Sequence, residues 1–214
     1  MIQLSSETAS YQGIKTLYDI DLHVSKGEKL ALVGQSGSGK STLIKLIYER
    51  YTINTSLVPQ DYGLVNHLSV YHNIYIGCLG EHSTVYNLVN LVRPWADQVK
   101  IIKAILVRLQ LGEYLFRPVG RLSGGQKQRV AVARSLFQKG QLLLADEPVS
   151  SVDEQQSKVV LKHLLNDFST TILAMHDIQL ALSFCDRIIG LEKGRIVLDS
   201  PSDALTSQDL LSLY

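Results

Sequence analysis

Short apolar runs alternate with helical patterns along the chain. The clearest runs lie at 29–33, 142–145 and 171–175, and their composition suits strands buried on both faces of a parallel sheet. A helical pattern follows the first run over 42–48. This alternation predicts an α/β fold in which helices cover a mainly parallel sheet.

The pattern changes in two places. Apolar runs at 188–191 and 195–198 flank a turn, which predicts a hairpin in which Gly194 takes a positive φ. From about 69 to 121 the pattern becomes helical, and Pro94 opens a segment with apolar residues at helical spacing. These residues are Val99, Ile102, Ile105, Leu106 and Leu109. We therefore expect a helical insertion within the α/β core.

Composition favours one soluble domain inside the cell. With 214 residues, 45% of them apolar, the chain can bury a sizeable core without disulfides. Cys78 and Cys185 lie far apart without metal-ligand spacing, which favours free thiols in a reducing compartment. The net charge of +1 and the lack of a basic run give no indication of nucleic-acid binding. We find neither a leader pattern nor a membrane-spanning apolar stretch, so any span is expected from other chains.

Residues 34–41 read GQSGSGKS and match the phosphate-binding pattern G-x-x-x-x-G-K-[ST]. Glycines let the backbone curl around a phosphate chain, and the helix that follows adds its N-terminus to the same pocket. In this pattern Lys40 reaches the β- and γ-phosphates, and the Ser41 hydroxyl ligates Mg²⁺. A chance glycine-rich turn is the alternative, which the flanking strand and helix disfavour. The candidate nucleotide-binding residues are Gly34, Gln35, Ser36, Gly37, Ser38, Gly39, Lys40, Ser41 and Thr42.

Residues 122–126 read LSGGQ, and together with the following KQRVAVAR they resemble the signature of ATP-binding cassette (ABC) ATPases. They also suit a helix start, in which Ser123 caps an amphipathic helix. Its inward residues would be Val130, Ala133, Leu136 and Phe137. Both interpretations can hold, because a helix N-terminus with exposed amides is an anion site. The resemblance implies that the nucleotide of an opposite subunit is contacted by Ser123, Gly124, Gly125 and Gln126.

The run LLLADE at 142–147 ends in two consecutive carboxylates. Alone, they would suit a solvated pair at the end of a strand. After a phosphate loop and a signature, they resemble the ABC pattern in which Asp146 supports the Mg²⁺ shell and Glu147 polarises the attacking water. We expect strand alternation to point the two side chains in different directions, which suits two separate tasks.

Four further residues resemble ABC positions. Tyr11 resembles the aromatic residue that stacks on adenine, with a surface tyrosine as the alternative. Gln60 resembles the glutamine that contacts Mg²⁺ or the attacking water, and His176 resembles the histidine that contacts the γ-phosphate. Asp153, in SSVD at 150–153, resembles the loop that crosses the dimer interface, and it also suits a helix cap. The resemblance thus assigns catalytic roles to Lys40, Gln60, Glu147 and His176.

The resemblance covers nearly the whole chain and implies an α/β P-loop NTPase core of the ABC ATPase type. It implies a single ABC ATPase domain over 1–214, with a helical subdomain at about 61–134 inserted in the α/β core. The chain departs from the family between Ser41 and Gln60, where only eighteen residues lie and family members usually carry antiparallel strands. We therefore expect a shortened antiparallel β-subdomain and slower or weaker nucleotide handling.

The family resemblance also implies cofactors and partners. ABC ATPases bind ATP and Mg²⁺ at the interface of a head-to-tail dimer, so a second ABC ATPase subunit is expected. A transmembrane permease would contact the segment after Gln60. This contact would place the chain in the cytoplasm, as a peripheral protein on the inner face of the membrane. Segments 76–80, 181–189 and 203–214 look most like ATPases of phosphonate importers, which would add a solute-binding protein.

Three other functions are compatible with the sequence. An ABC ATPase of a lipoprotein-release, export or cell-division complex would carry the same motifs. A soluble ABC protein acting on nucleic acid or ribosomes typically has long coiled coils or two cassettes in one chain, and this sequence has neither. A nucleotide-sensing module without turnover is disfavoured by the presence of Glu147 and His176.

Overall fold

The computed structural model describes residues 2–11 and 13–214, and of Tyr11 it describes the backbone alone. The predicted contact of the Tyr11 ring with adenine therefore lies outside the described residues. By its internal contacts the chain divides into two compact units. The first contains the segments 1–60, 141–148 and 165–214, and the second contains 61–140 and 149–164.

The secondary structure of the described residues follows the predicted alternation. The strands are β1 (Ile2–Tyr11), β2 (Ile14–Val24), β3 (Lys29–Val33), β4 (Thr55–Val58), β5 (Leu142–Asp146), β6 (Thr170–Ala174), β7 (Arg187–Glu192) and β8 (Arg195–Pro201). The α-helices are α1 (Lys40–Arg50), α2 (Val70–Tyr75), α3 (Thr84–Val92), α4 (Ala96–Arg108), α5 (Gly124–Gln138), α6 (Glu154–Asp167), α7 (Ile178–Phe184) and α8 (Ser207–Leu211). Short 3₁₀ helices lie at Ile76–Glu81, Gly112–Tyr114, Val119–Arg121 and Ser202–Ala204.

Strands β3 to β8 form one sheet of the first unit, in the order β4-β5-β6-β3-β7-β8. Neighbours are parallel except β7 and β8, and β3, β5, β6 and β7 are almost wholly buried, which confirms the predicted buried runs. Carboxyl ends of parallel neighbours meet at one edge of a sheet. Four functional segments lie at this edge, at or just after the ends of the strands: the glycine loop (residues 34–41), Gln60, Asp146 with Glu147, and His176.

A two-residue turn joins β7 to β8. Lys193 and Gly194 have φ values of 45° and 76°, and two positive values are what a type I′ turn requires, so the predicted hairpin is confirmed. The N–H of Gly194 donates to the carbonyl of Ser38 at 2.9 Å, and the carbonyl of Gly194 accepts the N–H of Tyr18 at 2.8 Å. The turn therefore links β2 to the glycine loop.

The first unit also contains a two-stranded antiparallel sheet formed by β1 and β2. Its buried side chains, among them Leu17 and Ile20, belong to the same core cluster as Leu43 and Ile47 of α1. Only residues 51–54 connect α1 to β4, and none of these described residues forms a strand. The shortened antiparallel part that the sequence indicated is confirmed.

Helices and 3₁₀ turns make up the second unit. Ile102, Ile105 and Leu106 of α4 are buried, as their helical spacing predicted. The hydroxyl of Tyr71 in α2 is buried and donates to Asn90 Oδ1 of α3 at 2.7 Å, which satisfies both polar atoms in an apolar setting. In α5 the four predicted inward residues are buried, together with further residues of the same helix.

Helix α3 presents an unusual surface for a helix in water. Val85, Leu88, Leu91 and Val92 all expose more than half of their surface. A cluster of exposed apolar side chains of this kind is typical of a protein–protein contact. Among the helices of the described chain, none is both long and apolar enough to traverse a bilayer.

The close approach of the β7–β8 turn to β2 is tested by Gly194→Ala. A Cβ on Gly194 would overlap the carbonyl oxygen of Thr16, whereas a Cβ on Gly13, whose φ of 79° is similar, meets no atom within 4 Å among the residues that the structure describes. We expect Gly13→Ala to lower the free energy of unfolding by about 1 kcal/mol and Gly194→Ala by roughly 3 kcal/mol, because the second adds overlap to backbone strain. Urea denaturation measures both, and equal losses would contradict the backbone contact.

Candidate functional site

The glycine loop joins β3 to α1 in a conformation that requires glycine. Gly34, Gly37 and Gly39 have φ values of 140°, 81° and 111°. A Cβ on Gly34 would overlap the carbonyl oxygen of Leu191, and a Cβ on Gly39 would lie 2.8 Å from Leu17 Cδ2. Gly39 is also the N-cap of α1, which has no side-chain cap. The main-chain N–H groups at this helix start therefore form an anion site.

Lys40 is the first residue of α1, and its side chain is buried. Its Nζ donates to the carbonyl of Gly34 at 2.6 Å and to that of Gln35 at 3.0 Å. Burial lowers the pKa of the ammonium group, whereas the charges of Glu147 and Asp146 raise it. The loop carbonyls and the two carboxylates thus hold a cation where a phosphate group would meet it.

Asp146 ends β5 and is only 7% exposed. Burial raises the pKa of its carboxyl group, and a hydrogen bond from Ser41 lowers it. Within the described part of the chain, Asp146 Oδ1 is buried without a hydrogen-bond partner. An unpartnered carboxylate oxygen beside the Ser41 hydroxyl is a donor set that fits Mg²⁺, a cation that prefers oxygen ligands.

Glu147 follows β5 with a left-handed φ of 54°. We expected strand alternation to separate it from Asp146, and this reason was wrong, because the strand ends at Asp146 and the left-handed residue redirects the chain. The Glu147 N–H donates to the carbonyl of Ala174 at 3.0 Å. Glu147 Oε1 lies 2.7 Å from His176 Nε2 and 3.5 Å from Gln60 Nε2. The carboxylate is therefore placed where it can accept a proton from a water molecule.

These groups surround one cavity of about 250 Å³ in the first unit. It is lined by Thr16, Ser36, Gly37, Gly39, Lys40, Ser41, Thr42, Gln60, Glu147 and His176. The structure thus brings together the phosphate-loop residues, the glutamine, the glutamate and the histidine that the sequence presented as separate motifs. Their combination of main-chain N–H groups, an ammonium, hydroxyls and a carboxylate suits a phosphate ester and its hydrolysis.

Three residues near the cavity have positions or contacts that the sequence analysis did not predict. Thr16 lines it, yet the sequence analysis did not single it out, because Thr16 belongs to none of the motifs. Gln35 turns to another segment of the first unit, where its N–H and its side-chain amide donate to main-chain oxygens of residues 213 and 214. Ser38 is buried, and its Oγ has no hydrogen-bond partner among the described residues.

The signature residues begin α5 in the second unit. Ser123 Oγ accepts the N–H of Gln126 at 3.3 Å, and Gln126 Oε1 accepts the N–H of Ser123 at 2.9 Å, so the pair forms a capping box. The predicted cap is confirmed. A Cβ on Gly125 would lie 2.5 Å from the carbonyl oxygen of Ser151, whereas a Cβ on Gly124 meets no described atom within 4 Å. Gly125 therefore packs against the 150–153 loop, and Gly124 has open space beside it.

The 150–153 loop is tied to α5 by a residue that the sequence analysis did not single out. Gln128 Oε1 accepts the N–H of Ser151 at 2.8 Å, and Gln128 Nε2 donates to Ser150 Oγ at 3.2 Å. The signal for Gln128 is a polar residue within an otherwise apolar helical face. Asp153 Oδ1 accepts the N–H of Gln156 at 2.9 Å, so the predicted cap of α6 is also present.

Residues 17–150 of the chain match the family described as ABC transporter. The phosphonates import ATP-binding protein PhnC of Maricaulis maris (strain MCS10) is 33% identical over 247 positions, covering 100% of this chain and 92% of the relative. Its namesake from Burkholderia pseudomallei (strain K96243) is 36% identical, covering 94% of this chain and 76% of the relative. MJ0796, a bacterial ABC transporter cassette solved as a dimer, is similar with a TM-score of 0.83 and 25% identity, covering 94% of this chain and 99% of that chain.

Asp146→Asn should stabilise the protein when nucleotide and divalent cations are absent. The folded state raises the pKa of this carboxyl group, so the unfolded chain ionises at lower pH than the folded one. Below the ordinary aspartate pKa of about 3.9 the carboxyl group is protonated in both the folded and the unfolded wild type. As the pH rises above this value, the carboxyl group ionises first in the unfolded state, which lowers the free energy of unfolding of the wild type. The asparagine variant has no such group to ionise. The advantage of asparagine in the free energy of unfolding should grow as the pH rises above about 4. Urea denaturation in EDTA measures it; an advantage that shrinks as the pH rises would contradict the assigned burial effect.

Proposed function

Because the chain belongs to the ABC transporter family and is an ATP-hydrolysing subunit of it, we propose that it powers uptake of phosphonate-type compounds through a separate membrane permease. The observation that carries the site assignment is the one cavity shared by the glycine loop, Lys40, Glu147 and His176. The long matches to relatives named phosphonates import ATP-binding proteins support the transport role. In this proposal both compact units serve one ATPase domain over 1–214.

The proposed ATP site uses the start of α1. Main-chain N–H groups of the glycine loop bind the phosphate chain, and Lys40 contacts the β- and γ-phosphates. Ser41 and Asp146 hold Mg²⁺, with Gln60 as a further oxygen donor, and the unpartnered Asp146 Oδ1 supports this assignment. When bound, Mg²⁺ neutralises charge on the phosphates.

In the proposed reaction, Glu147 is the general base. Its carboxylate accepts a proton from a water molecule whose oxygen attacks the γ-phosphorus, and the bond from that phosphorus to the bridging oxygen of ADP breaks. His176 Nε2, at 2.7 Å from Glu147 Oε1, holds the carboxylate, and the imidazole of His176 contacts the γ-phosphate. Gln60 Nε2, at 3.5 Å from this oxygen, orients the water. ADP and inorganic phosphate leave.

The signature residues act on the nucleotide of a second subunit in a head-to-tail dimer. Ser123, Gly124, Gly125 and Gln126 present the N-terminus of α5 to the partner's γ-phosphate, and Asp153 belongs to the loop at the interface. The dimeric structure of the similar MJ0796 cassette supports the pairing of two subunits. ATP closes the dimer because its γ-phosphate bridges the two subunits, and hydrolysis lets it reopen.

An apolar groove in the second unit supports the permease contact. Its volume is about 330 Å³, and its lining is Leu68, His72, Tyr75, Ile76, Leu79, Thr84, Asn87, Leu88 and Leu91. The groove includes residues of the segment after Gln60 that the family resemblance assigned to the permease. We propose that a helix of the permease occupies this groove. The contact holds the chain at the inner face of the membrane. A solute-binding protein then delivers the compound from the opposite face.

Glu147→Gln should trap the ATP-bound dimer, because glutamine cannot accept the proton that hydrolysis releases. In size-exclusion chromatography with light scattering, we expect this variant to be a dimer with ATP and Mg²⁺ and a monomer with ADP. Adding Lys40→Ala should return it to a monomer in ATP. A Glu147→Gln variant that stays monomeric in ATP, beside a wild type that hydrolyses it, would mean that the site is not shared between subunits.

Alanine substitutions at two glycines of the signature distinguish a contact between subunits from packing within one subunit. In the Glu147→Gln background, Gly124→Ala should raise the dimer dissociation constant in ATP by about tenfold without lowering the melting temperature, because its Cβ has room inside the chain. Gly125→Ala should lower the melting temperature as well, since its Cβ meets Ser151. Unchanged dimerisation of the Gly124→Ala variant would count against the proposed interface.

The transport role is tested with the permease that co-purifies with the chain from native membranes. Both are reconstituted in vesicles that enclose ATP and Mg²⁺, with labelled methylphosphonate and the solute-binding protein outside. We expect labelled methylphosphonate to accumulate, and accumulation to stop when the vesicles carry the Glu147→Gln subunit. Orthophosphate is the matched competitor. ATP-dependent uptake of another solute, with none of methylphosphonate, would overturn the phosphonate assignment and leave the ATPase assignment in place.

A further inference from the structure

The segment 206–214 contacts both sides of the ATPase cavity within the first unit. The N–H of Gln35 in the glycine loop donates to the carbonyl of Leu213 at 3.1 Å, and Gln35 Nε2 donates to the main-chain oxygen of Tyr214 at 2.5 Å. The Tyr214 hydroxyl donates to the carbonyl of Met175 at 3.2 Å. Met175 directly precedes His176, so Tyr214 bridges the glycine loop and the histidine segment.

The segment has its own anchors in the first unit. Helix α8 begins with a capping box, and Gln179 Nε2 of α7 donates to Ser207 Oγ of α8 at 2.6 Å. Leu213 is buried and packs so closely on Gly190 of β7 that a Cβ there would lie 2.6 Å from Leu213 Cδ1. Because α7 begins two residues after His176, α8 is fixed to the helix that follows the histidine. The position of Tyr214 is therefore set by packing as well as by its own hydrogen bonds.

The Tyr214 ring also contacts the histidine. The two rings meet at an interplanar angle of 62°, with centroids 6.3 Å apart. Burial raises the pKa of the Tyr214 hydroxyl, and a hydrogen bond from the Gly34 main chain lowers it, with a net rise. The hydroxyl therefore stays protonated at neutral pH and keeps donating to Met175. The imidazole of His176 thus has two neighbours that restrain it, the Tyr214 ring and Glu147 Oε1, which lies 2.7 Å from Nε2.

We infer that Tyr214 is a positioning residue of the ATPase site, which holds the His176 segment at a fixed place relative to the glycine loop. The inference rests on the proposed roles of His176 and Glu147. Tyr214 touches neither reacting atom, so its effect passes through the imidazole and the carboxylate that the imidazole holds. Because these groups act on the γ-phosphate during hydrolysis, the effect falls on kcat more than on KM for ATP.

The test compares three variants of the full chain. Tyr214→Phe keeps the ring and removes the hydroxyl with its bonds to Met175 and to the Gly34 main chain, whereas Tyr214→Ala removes the ring as well. Leu211→Ala is the matched control, because Leu211 lies in the same helix and is largely exposed. We expect kcat to fall about fivefold in Tyr214→Phe and about twentyfold in Tyr214→Ala, with KM for ATP within about twofold of wild type. Leu211→Ala should keep both constants.

A second measurement does not depend on ATP hydrolysis. Carbon-13 NMR of labelled histidine side chains, recorded without nucleotide, reports the imidazole environment, and the His176 signal is the one that disappears in His176→Asn. We expect this signal to shift in Tyr214→Phe and to shift further and broaden in Tyr214→Ala, because the neighbouring ring is lost and the imidazole gains freedom. It should not move in Leu211→Ala.

The outcomes separate this inference from the proposed function. If Tyr214→Ala keeps the wild-type kcat and His176 signal while the wild type hydrolyses ATP, Tyr214 is not a positioning residue and the proposed function stands. An equal loss of kcat and melting temperature in Leu211→Ala would also overturn the inference, since the effect would belong to the folding of α8. If His176→Asn retains the wild-type kcat, the proposed role of His176 fails, and the NMR signals alone decide whether Tyr214 orders the imidazole.

Discussion

The site depends on stretches of main chain that approach too closely for any side chain to lie between them. Gly34 of the glycine loop lies against the carbonyl of Leu191 in β7, and Gly194 of the β7–β8 turn lies against the carbonyl of Thr16 in β2. These contacts hold the loop between β2 and the β7–β8 hairpin. The direction of its N–H groups is therefore set by the fold, which is the preorganisation that binding of a charged phosphate requires.

The order of the strands in the sheet brings together functional side chains that the glycine loop does not itself contain. Gln60, Glu147 and His176 come from distant parts of the sequence, yet they follow β4, β5 and β6, which are neighbours in the sheet. The same burial acts on two opposite charges: it lowers the pKa of Lys40 and raises that of Asp146. Burial therefore favours the neutral form of each group, and keeping the groups charged costs free energy in the folded state. A bound phosphate and a bound cation can offset this free-energy cost.

Local patterns were sufficient to predict five of the eight described strands, β3 and β5 to β8, together with the glycine loop and the helix cap at Ser123, because apolar runs, glycine spacing and capping residues involve neighbouring positions. The rest depends on contacts between distant segments. The left-handed turn at Glu147 is stabilised by a bond to Ala174 in another strand, so strand alternation gave the wrong reason for its direction. Tyr214 meets Gln35 across 179 positions, and nothing near residue 214 distinguishes it from an ordinary surface tyrosine.

The glycines around the loop differ in the atom that excludes a side chain. At Gly34 and Gly194 the obstacle is a carbonyl oxygen, which every amino acid carries, so no compensating replacement at the opposing residue can make room. At Gly39 the nearest obstacle is a methyl carbon of Leu17, which a shorter side chain would remove. A second substitution can therefore relieve the steric overlap of a side chain introduced at Gly39, but not of one introduced at Gly34 or Gly194.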